Sequence, residues 1–74
     1  MSNASRCLSR AARYEGLAGR AEDPEIRRAC RALAAIWREM EPLAADYDRE
    51  PDPYAKERIY ALIDVIAAEQ RKVA

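Results

Sequence analysis

The feature that most constrains this chain is a series of apolar residues in its middle third, spaced alternately four and three apart. The series consists of Ile26, Cys30, Leu33, Trp37, Met40, Ala44 and Tyr47. This spacing places successive side chains on one face of an α-helix. Seven consecutive members predict a long amphipathic helix. Ala29, Ile36 and Leu43 widen its apolar face to roughly 140°, which is more than one neighbouring helix needs.

Two Asp-Pro pairs indicate where helices begin. Asp23 and Pro24 combine a preferred N-cap residue with a proline at the first helical position, and Asp52 and Pro53 repeat this signal. The polar segment 48–52 before the second pair is typical of a loop. The chain therefore divides into three predicted helices, over residues 3–21, 24–48 and 53–73.

Pro42 is the residue that fits the second helix least well. It has no N–H to donate, and its ring crowds the carbonyl of Arg38. Either the helix kinks there, or it ends near Met40 and a short helix restarts. Because the apolar spacing continues through Ala44 and Tyr47 without a change of phase, we predict a kinked, continuous helix.

The outer segments carry apolar stripes that match the middle one. In the first segment the stripe is Ala4, Cys7 or Leu8, Ala11, Tyr14 and Ala18, and in the third it is Ala55, Ile59, Leu62 or Ile63, Ile66, Gln70 and Val73. Antiparallel folding would place Trp37 level with Leu8 and Leu62, and Cys7 beside Trp37. Small residues then face large ones in most layers, which suits close packing. The sequence predicts an all-α fold, an antiparallel three-helix bundle with a kinked central helix, formed as one domain over residues 1–74.

Composition narrows the function classes. The chain has 74 residues, 16 of them Ala, and 11 of its 13 basic residues are Arg, so strong helix formers dominate. It has no His, which removes the usual general base and metal ligand. We find no nucleophile–base pair and no Gly-rich phosphate loop. We therefore expect no enzymatic activity, no cofactor and no small-molecule substrate.

The apolar runs and the cysteines indicate where in the cell the protein is found. No apolar run is long enough to span a membrane, and the N-terminal stretch lacks the apolar segment of a secretory signal. Cys7 and Cys30 belong to no Cys-x-x-Cys pair. We expect both to be buried and reduced in a cytoplasmic protein.

Charge is balanced overall but not along the chain. Residues 1–31 hold seven Arg and four acids, and residues 32–74 hold six basic residues and nine acids. A net charge of zero argues against a dedicated nucleic-acid binder. The asymmetry could bind an anionic partner, or it could pair the two halves of the fold or two copies of the chain. We favour pairing, because a local excess of three is small.

The segment from Asp46 to Glu57 is the best candidate for a metal site. Its oxygen donors fall at positions one, three, five and twelve, as in a calcium-binding helix–loop–helix. However, Pro51 occupies the position that needs Gly, and Pro53 occupies an apolar position. The Asp-Pro helix start already explains this stretch. We therefore expect no metal.

Two further stripes suggest an interface. Small residues recur along the first helix, and weakly apolar residues recur along the third. The candidate interface positions are Ser9, Ala12, Gly16, Tyr54, Ala61 and Val65. Small side chains allow close backbone approach, and a helical glycine needs some compensation because it costs about 1 kcal/mol. The favoured interpretation is a self-association face. The alternative is that one stripe packs helix one on helix three and the other is ordinary exposed alanine.

Arginines form rows on two helices. Arg6, Arg10 and Arg13 share one face of the first helix, and a second row lies on the second helix. That second row is Arg27, Arg31 and Arg38. Such rows can follow a phosphate backbone. A solvated face paired with nearby acids is the favoured interpretation, and no interleaved aromatic residues offer base stacking.

The segments Arg-Tyr-Glu-Gly-Leu-Ala (13–18), Ala-Glu-Asp-Pro-Glu-Ile-Arg (21–27) and Leu-Ala-Ala-Ile-Trp (33–37) carry a resemblance. Over residues 6–48 the chain resembles short uncharacterised helical-hairpin proteins of alphaproteobacteria, which share a Leu-Ala helix end, an Asp-Pro-Glu turn and a second helix with a Trp. The resemblance implies a small cytoplasmic helical hairpin and supplies no catalytic residues. Pro42 and the third helix depart from the pattern.

Together these features predict a non-enzymatic helical protein-interaction module that self-associates or binds a protein partner. Burial of surplus apolar surface would drive association, and charged rims would set orientation. The alternative function is a nucleic-acid-associated regulator that uses the arginine rows.

Overall fold

The chain folds into three α-helices that form a bundle. The computed structural model describes residues 2–73. Helix α1 spans Asn3–Arg20, α2 spans Pro24–Arg49 and α3 spans Pro53–Val73. The predicted all-α three-helix bundle is confirmed. Helix α1 ends one residue earlier than predicted, because Ala21 is already extended, and α2 continues one residue further.

Each helix begins at a cap that the sequence supplies. The Ser2 hydroxyl accepts a hydrogen bond from the Ser5 backbone N–H at 3.1 Å. The Asp23 carboxylate accepts from the Glu25 N–H at 2.9 Å, and the Asp52 carboxylate accepts from the Tyr54 N–H at 3.1 Å. These bonds satisfy backbone donors that have no partner inside the helix. Both Asp-Pro pairs therefore start helices, as predicted.

Helix α2 continues through Pro42 without interruption. Pro42 is exposed, so its ring lies away from the face that packs against the outer helices. The loss of its N–H removes one backbone hydrogen bond from the ladder but no core contact. The predicted continuity of this helix is confirmed.

Helix α2 supplies most of the core. Of the buried apolar residues in the described part of the chain, α2 contributes seven, α1 three and α3 two. Leu33 is fully buried, and Trp37 is only 7% exposed. The central cluster joins Cys7 and Ala11 from α1 and Ile66 from α3 to these α2 residues. The predicted role of α2, whose apolar face serves both neighbours, is thereby confirmed.

The structure decides between the paired alternatives of the outer stripes. Cys7 shares the core with Trp37, as predicted, and Leu62 packs against it, whereas Leu8 is 50% exposed and Ile63 is also exposed. The predicted inward position of Gln70 is wrong, because its amide instead bonds the Tyr14 hydroxyl at the exposed edge. The choice within each pair follows from size and rotation. The small Cys7 side chain fits beside the large indole, and adjacent helical residues lie about 100° apart, so only one of each pair can face α2.

The outer helices pack on α2 and not on each other. Within residues 2–73, no Cα atom of α1 lies within 8 Å of a Cα atom of α3. One hydrogen bond joins them, from the Gln70 side-chain amide to the Tyr14 hydroxyl at 3.1 Å. The small-residue stripe of α1 therefore does not pack against α3. No helix in this part of the chain is long and apolar enough to cross a bilayer.

Candidate functional site

A groove opens between α1 and α3. Its volume is about 330 Å³. Each helix contributes four lining residues from one face, from the first half of α1, the second half of α2 and the first half of α3. The groove follows from the packing just described, because α2 separates the outer helices and its apolar face is wider than either neighbour covers.

The floor of the groove is apolar and contains one unpaired polar atom. Trp37 and Met40 line it from α2, Cys7 from α1 and Ile59 from α3. The indole N–H of Trp37 is buried and has no hydrogen-bond partner among the described residues. Buried donors are nearly always paired, so this atom is an exception that needs an explanation.

Three cations line the groove, and two of them lie over aromatic rings. The Arg10 guanidinium carbon is 4.8 Å from the centre of the Trp37 ring. The Lys56 ammonium is 5.8 Å from the centre of the Tyr60 ring. Arg6 is the third cation, and no Asp or Glu belongs to the lining. Cation–π attraction holds the first two side chains at opposite rims.

Two hydrogen-bonded pairs mark the ends of this region. The bond between Gln70 and Tyr14 joins α1 and α3 beyond one end of the groove. Near the other end, the Asp48 carboxylate accepts from the Asn3 backbone N–H at 3.1 Å and from the Asn3 side-chain amide at 2.9 Å. A carboxylate at the start of α1 also has a favourable interaction with the helix dipole.

The groove does not follow from the sequence patterns. Their spacing predicts a nucleic-acid face for Arg10 and a core position for Trp37, and it predicts no role for Lys56 or Tyr60. Lys56, Tyr60 and Ile63 are spaced four and three apart on the flank of α3 beside its core stripe. That spacing was a usable signal, but it does not show that α1 and α3 stand apart.

The predicted interface residues lie on two separate outer surfaces. On α3, Tyr54 is 64% exposed, Val65 is 46% exposed and Ala61 is also exposed. At roughly 100° per residue, this set points away from α1, whereas the groove residues of α3 point towards it. On α1, Ser9 and Ala12 are exposed. The structure does not bring the two sets together.

The two glycines of α1 have no packing role within the chain. Gly16 is half-buried. A Cβ atom added there would lie 3.5 Å from the Arg20 guanidinium, which is an ordinary contact. A Cβ atom on Gly19 would meet nothing within 4 Å. Among the described residues, no contact therefore offsets the free energy that these glycines cost the helix.

Three of the six arginines proposed for nucleic-acid binding have partners inside the molecule. Arg10 stacks on Trp37, and Arg38 forms an ion pair with Glu15. Arg27 donates two hydrogen bonds to the Ala21 carbonyl, at 2.7 and 3.2 Å, and so ties the end of α1 to the start of α2.

The other three arginines have no such partner, and one ion pair bears on the charge asymmetry. Arg6, Arg13 and Arg31 are exposed, and within residues 2–73 they form no side-chain hydrogen bond or ion pair. The pair between Arg38 and Glu15 joins a base from the second half to an acid from the first. This ion pair therefore does not match the basic excess of the first half with the acidic excess of the second.

Two of the four oxygen donors of the calcium-loop candidate have other partners. Asp46 pairs with Arg49 and Asp48 accepts hydrogen bonds from Asn3, while the neighbouring Asp52 caps α3. In the described part of the chain, no group of three or more Cys, Asp and Glu side chains is arranged to hold a metal ion.

Comparison of the chain with protein-family models, with curated proteins and with solved structures gives no match. The resemblance to alphaproteobacterial helical hairpins therefore stays a prediction.

Proposed function

We propose that this chain is a non-enzymatic helical protein-interaction module that self-associates through α3. The observation that supports this most directly is how little of α3 is covered. Only Ala55 and Ile66 of its 21 residues are buried. Four of the five exposed large hydrophobic residues in the described part of the chain belong to this helix, and two of them, Tyr54 and Val65, lie on the flank that points away from α1. Isolated helices gain little from propensity alone, so a helix this weakly packed benefits from a further partner.

The outer flank of α3 suits a second copy of itself. In an antiparallel pair centred on Ala61, Tyr54 of one copy would face Ala68 of the other, and Arg58 would face Asp64. The large Tyr54 side chain then meets a small one, Arg58 meets an acid, and Val65 faces Glu57 of the other copy. Arg58 already lies against Tyr54, with its guanidinium carbon 6.0 Å from the ring centre. Such a pair has twofold symmetry, the commonest form of oligomer.

Concentration-dependent mass tests this proposal. Sedimentation velocity of the intact chain should show a mass that rises with concentration. Ala61→Glu and Val65→Glu place like charges opposite each other in the pair, so each should weaken association at least tenfold. Ala67→Glu is the matched control, because Ala67 is exposed on the other flank of α3. A monomer at every concentration, or equal weakening by the control, would refute the proposal.

The proposed setting is the cytoplasm. Both cysteines of the chain are buried within the bundle, where they act as small apolar side chains. Reducing compartments favour such thiols.

The alternative function, a nucleic-acid-associated regulator, would depend mainly on Arg6, Arg13 and Arg31, since the other three arginines already have internal partners. A mobility-shift experiment with DNA and RNA at two salt concentrations tests it. Complexes that weaken as salt increases would support this alternative, and the absence of any complex would exclude it.

A further inference from the structure

We infer that the groove between α1 and α3 binds a small amphipathic carboxylate, an acid with an apolar chain or ring. The carboxylate would meet Arg10 beside the Trp37 ring, and the apolar part would lie across the floor towards Ile59. Lys56, at the opposite rim, would add positive charge to the site. This site faces α1, whereas the proposed self-association uses the opposite flank of α3. The inference therefore does not depend on the proposed function.

The dimensions of the groove suit a small molecule. Its volume of about 330 Å³ lies within the range of known ligand sites. Its lining on α1 runs from Asn3 to Arg10, which corresponds to roughly 10 Å of helix at 1.5 Å per residue. Beyond its far end, the bond between Gln70 and Tyr14 crosses from α3 to α1. A partner helix laid along the groove would meet this crossing, whereas a short ligand would not.

The charges around the groove select an anion. Arg6, Arg10 and Lys56 line it, and no acidic residue does. Because Arg10 and Lys56 rest on aromatic rings, they lose less conformational freedom on binding than free side chains would. Arginine in particular can donate two parallel hydrogen bonds to a carboxylate. The carboxylates of Glu41 and Asp48 lie near Cys7 but do not line the groove, and Asp48 is hydrogen-bonded to Asn3.

The unpaired indole N–H of Trp37 is an independent observation that points to a ligand. Trp37 lines the groove, and its N–H is buried without an acceptor. A carboxylate bound to Arg10, whose guanidinium lies over the Trp37 ring, would supply the missing acceptor. Protein pockets commonly combine an apolar lining with a few polar groups of this kind.

The only Trp of the chain reports directly on this site. Decanoate should produce a saturable change in the fluorescence of the intact chain, measured below the concentration at which decanoate forms micelles. Decyltrimethylammonium, which has the same chain length and the opposite charge, should produce no saturable change. Titration calorimetry of the chain with each of these two compounds measures binding without fluorescence.

Variants of Lys56 test the positive charge of the site. Lys56→Glu should weaken decanoate binding at least tenfold, and Lys56→Arg should leave it within about threefold. Lys56 is exposed, so neither change disturbs the core. Arg13→Glu is the matched control, because it makes the same change of charge on an exposed residue outside the groove, and it should have little effect.

Three results would overturn the assignment. The first is no saturable response to decanoate by either method. The second is an equal response to the cationic compound, which would indicate apolar adsorption only. The third is binding that weakens as protein concentration rises, which would show that a second copy occupies the groove.

Discussion

At the scale of single residues, Cys7 links the core to the groove. Its side chain is buried in the central cluster, and burial raises the pKa of its thiol. Arg10 opposes this shift, while the nearby carboxylates of Glu41 and Asp48 reinforce it. The thiol is therefore neutral and poorly nucleophilic at physiological pH, in keeping with a structural role.

The raised pKa predicts how stability changes with pH. Above the ordinary thiol pKa, near 9, the unfolded chain loses this proton while the folded chain retains it. The unfolded state then binds fewer protons, so the free energy of unfolding falls as pH rises. We expect this fall to be shallower in Cys7→Ala than in the unchanged chain. Urea denaturation between pH 7 and 10 measures it.

The comparison with Cys7→Ala isolates the thiol, because the two proteins differ in this side chain alone. Identical slopes above pH 9 would contradict the raised pKa.

At this scale the sequence predicted some positions and not others. Trp37 and Leu33 are buried as their spacing required, since a 4–3 series centred on them leaves no other face. The choice between Cys7 and Leu8 could not be made from spacing, because both lie near the same face of α1. The room left beside the indole decided for Cys7.

At the scale of the helices, Pro42 is an exposed defect in an otherwise regular α2. Replacing it with Ala restores a backbone donor and removes the crowding of the Arg38 carbonyl. Ala also leaves the unfolded chain more freedom, which offsets part of the gain. We expect Pro42→Ala to raise the free energy of unfolding by about 1–2 kcal/mol. Chemical denaturation followed by circular dichroism is the measurement.

Pro51→Ala is the matched control for that substitution, since Pro51 lies outside any helix. It should not stabilise the chain. A loss of stability in Pro42→Ala would show instead that packing of the outer helices requires a bend at this position.

The helices were the most predictable level of this structure. Caps and apolar spacing are local properties of the chain, so the Asp-Pro starts and the 4–3 series fixed element bounds to within a residue. The interruption suggested by Pro42 did not occur, because the packed face of α2 continues on both sides of it.

At the scale of the whole molecule, α3 is the helix that opens most easily. It buries two residues where α2 buries seven, and one hydrogen bond ties it to α1. Local opening requires less free energy where fewer apolar contacts are lost. We expect backbone amides of α3 to exchange with deuterium faster than those of α2 in dilute solution. Exchange followed by mass spectrometry tests this.

If α3 also forms the proposed self-association face, its protection should rise with protein concentration while that of α1 changes little. Equal protection of α2 and α3 in dilute solution would contradict the packing described here.

The antiparallel arrangement could be predicted at this scale, but the groove could not. In an antiparallel helix pair, facing residues have numbers that add up to a constant, so the sequence shows which residues lie at the same level. It does not give the distance between two helices that share a neighbour. That distance depends on how the widths of side chains such as Trp37 and Met40 spread α1 and α3 apart, which is a property of the packed core.

The absence of close α1–α3 packing has a consequence for how this molecule tolerates change. The bundle behaves as two helix pairs, α1 with α2 and α2 with α3. The effects of substitutions on the outer surfaces of α1 and α3 on the free energy of unfolding should therefore add. Departures from additivity are confined to Tyr14 and Gln70 and to residues that share α2 as an intermediary. Either outer helix can therefore diverge in sequence without forcing compensatory change in the other.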